Sequence, residues 1–263
     1  MGWMGGACGV ALVLLGCGDD TQPVVDAAAL DAPGLDAATA DADPQCMTLP
    51  GQTHTIYLAF EGVMLHPCPA SMSGCSDATT GTTNQVMADV MVPPFLNGVS
   101  DRQIIIDQAV MALRQQLAPY AADVVTTRPS AGGYIMIALG GDCPSITGGT
   151  AAQCGGSIGY QDFDCDNLLP NDVALVFDSA SSSGTEPVRG MKTANTIMNV
   201  LGFSLGLVYS TPNGDCLKQA FPLGTSPCTL SPTAPVDTRF NICADQGTTQ
   251  DEPAAFKRAL GCR

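Results

Sequence analysis

The chain has 263 residues, with 25 acidic side chains against 10 basic ones, a net charge of −15, and no Lys or Arg before Arg102. An acidic excess of this size excludes the basic footprint needed to neutralise phosphates, and with it nucleic-acid binding or polybasic attachment to an anionic membrane. A hydrophobic content of 45% with only 13% charged residues excludes a wholly disordered chain, and 12 cysteines argue against a reducing cytosol.

Residues 7–16 form a short apolar run that ends in Leu14-Leu15-Gly16-Cys17. Such a run is too short to span a bilayer core of about 30 Å, but it suits the apolar region of a signal peptide. Gly16 before Cys17, preceded by two leucines, resembles the bacterial lipobox, although Met1-Gly2-Trp3-Met4 lacks the usual positive charge. That resemblance implies removal of residues 1–16, a diacylglycerol on the Cys17 sulfur and a membrane-anchored lipoprotein of a bacterial cell envelope. An ordinary cleaved signal, or a buried strand, is the alternative.

Residues 17–45 read as a tether: the stretch 18–44 holds seven Asp and no aromatic residue. It repels itself and cannot bury enough apolar surface to offset chain entropy. Residues 46–263 then form one cysteine-rich domain carrying 18 acids and 10 bases. Its ten cysteines are Cys46, Cys68, Cys75, Cys143, Cys154, Cys165, Cys216, Cys228, Cys243 and Cys262. An even number in an exported chain predicts five disulfides, with the connectivity left open. Zinc ligation would favour C-x-x-C pairs, and there are none.

Within the domain, Thr55-Ile56-Tyr57-Leu58-Ala59-Phe60 reads as a first strand. Ser100 or Asp101 can open a helix to about Ala118, with Ile105, Ala109, Leu113 and Leu117 on one stripe. Strands are expected at residues 123–127, 134–139 and 173–177. A helix runs from Lys192 or Thr193 to about Leu205 and closes at Gly206. An irregular cysteine-rich part follows, with a short helix near residues 253–260. This is an α/β (α+β) plan: a long N-terminal helix, a mixed sheet, a second helix and a disulfide-rich end.

The second helix carries the most informative pattern, Asn199-Val200-Leu201-Gly202-Phe203-Ser204-Leu205-Gly206-Leu207-Val208-Tyr209. Its frame resembles the H-E-x-x-H-x-x-G-x-x-H helix of metzincin-type zinc peptidases. In that family two His one turn apart and a third after the glycine bind zinc, and the Glu is the base. Aligned on Gly206-Leu207, the three His positions fall on Asn199, Phe203 and Tyr209, and the Glu position on Val200. The strand His54 to Val63, the stretch Val124 to Pro129 followed by Tyr134 to Gly141, and the distal Thr249-Gln250-Asp251-Glu252 resemble exported metallopeptidase-related lipoproteins in the same order. The resemblance implies a zincin-like fold whose metal site has been lost. The only histidines, His54 and His66, lie before the first predicted helix, and no methionine follows Met198.

Three further features bear on chemistry. Gly202-Phe203-Ser204-Leu205-Gly206 matches the G-x-S-x-G nucleophile elbow, making Ser204 an alternative nucleophile, but no histidine follows it to complete a triad in the hydrolase order. Asp162-Phe163-Asp164-Cys165-Asp166-Asn167 approaches a calcium loop but lacks its glycine and terminal glutamate, so calcium is not expected. Glu61, His54 and His66 read as solvated loop or edge residues. The expected protein is a surface binding or structural module with no catalytic residue, metal or cofactor. Its partner would be a protein or peptide at the cell surface. The alternatives are a hydrolase using Ser204 or an unrecognised metal arrangement, and a cysteine-rich surface module unrelated to peptidases.

Overall fold

The computed structural model describes residues 54–69, 75–161, 164–165, 168–218, 224–240, 243 and 247–263. The expected signal, tether, Cys17 and Cys46 lie outside them, as does most of the candidate calcium loop. The described residues form a mixed α/β fold, as the order of elements predicts. Its main sheet joins β1 (His54–Ala59), β6 (Ala122–Val125), β7 (Tyr134–Leu139), β8 (Gly159–Tyr160) and β9 (Val173–Val176) in the order β6-β1-β7-β9-β8. All neighbours run parallel except β8, which pairs antiparallel to β9 at the edge.

The central strands are buried on both faces, which is why β7 reads as the unbroken apolar run Tyr-Ile-Met-Ile-Ala-Leu. One face, with Ile56, Leu58, Ile135, Ile137, Leu139, Ala174 and Val176, packs on α1 (Arg102–Gln116) and α4 (Glu186–Ser204). The predicted stripe Ile105, Ala109, Leu113 and Leu117 is buried there. The two helices touch at Gly190, where a Cβ would stand 2.5 Å from Gln108 Cβ and 3.0 Å from Ala109 N. Arg189 ties the pair by bonding Asp101 at 3.1 Å.

The opposite face, with Tyr57, Ala59, Met136, Val173 and Leu175, is covered by a small second sheet that short segments hid from sequence analysis. It comprises β2 (Val63–Pro67), β3 (Ser76–Asp77), β4 (Thr82–Thr83) and β5 (Val90–Val92), in the order β3-β4-β2-β5. Val63, Leu65 and Val92 point inward, while Met64 and Met91 point to solvent. Beside it, α2 (Cys143–Thr147) and α3 (Ala151–Cys154) begin with capping boxes at Asp142 and Thr150 and are joined by Cys143–Cys154.

Beyond α4, the paired β10 (Ala234–Pro235) and β11 (Thr249–Gln250) lead to α5 (Glu252–Leu260), capped by Asp251 on Ala254 N at 3.0 Å. Cys216–Cys228 and Cys165–Cys243 staple this region, and Cys68–Cys75 closes a short loop after β2. Cys262 is disulfide-bonded as well. Four such pairs fit an exported chain, and no described helix is long and apolar enough to cross a membrane. At the β6 edge, the outward carbonyls are occupied: Arg114 donates to Val124 O at 2.8 Å and Arg263 to Ala122 O at 2.6 Å.

Candidate functional site

The helix that carries the pattern Asn199 to Tyr209 begins six residues earlier than expected. Glu186 and Pro187 in its first turn are strong start signals, and the apolar run only takes over one and a half turns later. Nearly all of its second half is buried, so its hydroxyls bond back along the helix. Thr193 donates to Arg189 O at 3.0 Å, Thr196 to Lys192 O at 2.9 Å and Ser204 to Val200 O at 3.4 Å. The helix ends as predicted at Gly206, whose φ of +85° allows a two-bond close. Gly206 N donates to Phe203 O at 3.2 Å and Leu207 N to Gly202 O at 3.0 Å.

That turn sends Tyr209 back onto the helix, where its ring meets Phe203 edge-on at 4.8 Å. Burial pushes the Tyr209 phenol up, with Tyr160 of the edge strand nearby. Val200 lies beneath that strand: a Cβ on Gly159 would stand 2.9 Å from Val200 Cγ1. Asn199 is buried and donates from Nδ2 to Cys216 O at 2.7 Å. A backbone loop closes over the helix end, since Asp164 N donates to Phe203 O at 3.3 Å. A Cβ at Gly206 would stand 3.2 Å from Asp164 O and 3.3 Å from Cys165 O.

The four motif positions are therefore brought to one place, but as an amide, a valine, a phenyl ring and a phenol knitted into the core. A phenyl ring cannot ligate, and the Asn199 amide is spent on a carbonyl, so these residues do not fit zinc. Among the described residues, no group of three or more His, Cys, Asp or Glu could hold a metal ion. His54 begins β1, with burial lowering its pKa. His66 lies within β2 rather than in a loop, with Nδ1 3.0 Å from Asp89 Oδ1. Glu61 is solvated, as expected, and Arg102 meets it at 2.9 Å.

Ser204 occupies the last turn of α4, not a strand-to-helix turn, and is 1% exposed. Close to it is Asp172, a buried carboxyl just before β9 that accepts from the Gln161 amide and, at 2.8 Å, from Val173 N, with the Ser76 and Ser204 hydroxyls beside it. Burial pushes Asp172 up to about 6 against those hydrogen bonds. A serine thus lies beside an acid with no imidazole between them, where the end of α4 meets the start of β9.

A second buried acid group was not visible in the sequence. Glu252, fully buried at the start of α5, accepts from Ser231 N at 2.8 Å and from Gln250 Nε2 at 3.0 Å. Burial first, then the Asp215 carboxylate beside it, pushes Glu252 up to about 8. Gln250 also clasps the backbone of Val208 in both directions, at 3.1 and 2.8 Å. Asp215 is the neighbour of Cys216, so the layer runs from Asn199 through residues 215–216 to α5.

A groove of about 610 Å³ lies elsewhere, between α1 and the ends of β1 and β6, lined by Phe60, Glu61, Gln103, Asp107, Arg114 and Thr126 among others. No residue of α4 lines it. No family model matches the chain, and comparison with curated proteins finds no match.

Proposed function

We propose that the chain is an exported, Cys17-anchored lipoprotein whose domain is a zincin-like scaffold without its zinc site, acting at the cell surface as a binding or structural module. What carries the reading is the motif helix. It lies beneath a mixed sheet with an antiparallel edge strand, ends in the glycine turn the frame requires, and has Asn199, Phe203 and Tyr209 at the three ligand positions. Those side chains pack and bond with their neighbours, so the site is filled by core rather than left as an open cleft. The partner class favoured is an extended peptide added along β8, where backbone hydrogen bonds supply affinity and Tyr160 offers an aromatic contact.

Elemental analysis and peptidase assay of protein purified without chelators test the reading. Less than a tenth of an equivalent of zinc and no chelator-sensitive cleavage are expected. Stoichiometric zinc with activity abolished by a chelator would overturn it. For the anchor, palmitate labelling lost in Cys17→Ala is the expected result, and labelling unchanged in that variant would remove it.

A further inference from the structure

The outer face of the second sheet holds a cluster that neither the fold nor the motif helix explains. Met64 on β2 stands directly opposite Met91 on β5 in the antiparallel ladder, and both are exposed, at 41% and 56%. Two residues along β2, on the same face, is His66, and two residues back from Met91 is Asp89. The register that pairs Met64 with Met91 brings His66 opposite Asp89, and the Nδ1–Oδ1 distance is 3.0 Å. A carboxylate only accepts, so the bond places a proton on His66 Nδ1, which in the neutral ring leaves the lone pair on Nε2 of a half-exposed side chain.

We propose that Met64, Met91 and His66 form a binding site for a soft monovalent cation, Cu(I) in chemical class, with Asp89 orienting the imidazole. Each element of the cluster suits that ion and few others. Two thioethers on adjacent strands are soft, neutral ligands that hard cations do not use. An imidazole whose other nitrogen is held by a carboxylate is the usual arrangement for a metal-ligating histidine. One carboxylate against one positive charge leaves the site balanced, while a divalent hard ion would want several oxygens. Burial does not account for the methionines: their neighbours Val63, Leu65 and Val92 fill the inward face, so the thioethers are in water without packing to explain them. Met87 is exposed too, but its thioether lies against Gly148, which sets it apart from the pair.

Ag(I), an air-stable ion of the same softness, is the probe. It is titrated by calorimetry into the full chain after non-disulfide thiols have been alkylated. One equivalent is expected that Met64→Leu with Met91→Leu lacks, a loss of at least about 100-fold in affinity with the fold unchanged by circular dichroism. His66→Asn and Asp89→Asn should each weaken it about 10–100-fold, and Met87→Leu should leave it unchanged. Zn(II) at the same concentration should not compete. Silver binding that survives the double methionine variant, an absence of stoichiometric binding in the parent, or displacement by zinc would each overturn the site.

Discussion

Among the described residues, the groups acting on Glu252 include no cation. The groups that face it are the carboxylate of Asp215, the Tyr120 phenol and the dipoles of Ser231 and Gln250. Asp215 Oδ2 is buried and no other donor reaches it among the described residues, so a proton on Glu252 is what lets the two carboxyls coexist. Folding raises Glu252 from its ordinary 4.5 to about 8, so the folded chain holds this proton more tightly than the unfolded one. That contribution is complete below about pH 4.5 and is lost as pH rises toward 8. Asp172, raised to about 6, acts in the same direction over a lower range. The urea midpoint should accordingly fall between pH 5 and pH 8.5. Glu252→Gln, which keeps an N–H donor toward Asp215, should flatten that slope and gain about 1–3 kcal/mol over the parent at pH 8.5. A midpoint that rises with pH in the parent would contradict the assignment. None of this was legible in the sequence, because an Asp or Glu reads as surface until the fold shows what surrounds it.

The elements divide by how they are buried. Strands β1, β7 and β9 were legible because both of their faces are covered and the sequence shows it as continuous apolar runs. The stripe of α1 was legible because only one face is covered. The second sheet was not, since strands of two to five residues offer too few positions to show a period. The start of α4 was missed because Arg189, Gly190 and Lys192 break the apolar pattern, and Gly190 reads as a breaker. In the structure it is the point of closest approach to α1. The helix end was predicted correctly at Gly206, and there the backbone argument is strongest. With φ at +85° and two carbonyl oxygens within 3.3 Å of a Cβ, Gly206→Ala should lose about 1–3 kcal/mol by urea denaturation. A neutral outcome would mean that the loop at residues 164–165 does not press on the helix end.

At the scale of the whole molecule, stability is distributed unevenly among the staples. Cys68–Cys75, Cys143–Cys154 and Cys216–Cys228 close loops of 7, 11 and 12 residues, whereas Cys165–Cys243 spans 78. In the chain-entropy account the short bridges contribute roughly 2–3 kcal/mol each and the long one about 4–5. The paired Cys165→Ser, Cys243→Ser variant should therefore show the largest drop in melting temperature of the four paired removals, measured at one pH by differential scanning calorimetry. A smaller drop than for Cys143–Cys154 would show that the long loop is already ordered before the bridge forms. The composition was right about disulfides but silent on this ranking, which depends on who pairs with whom.

The two guanidiniums on the β6 carbonyls give the sheet a polarity. A sheet with two open edges can propagate, each new strand exposing another template, as in a fibre. Here Arg114 and Arg263 sit where an incoming strand's N–H groups would bond, which leaves β8 as the other edge of the main sheet among the described residues. A molecule closed on one side acts as a chain terminator: a second copy joined β8 to β8 would leave a capped β6 edge at each end, so the joint sheet would end there rather than extend. Even at high concentration, strand addition of this kind would stop at a discrete complex.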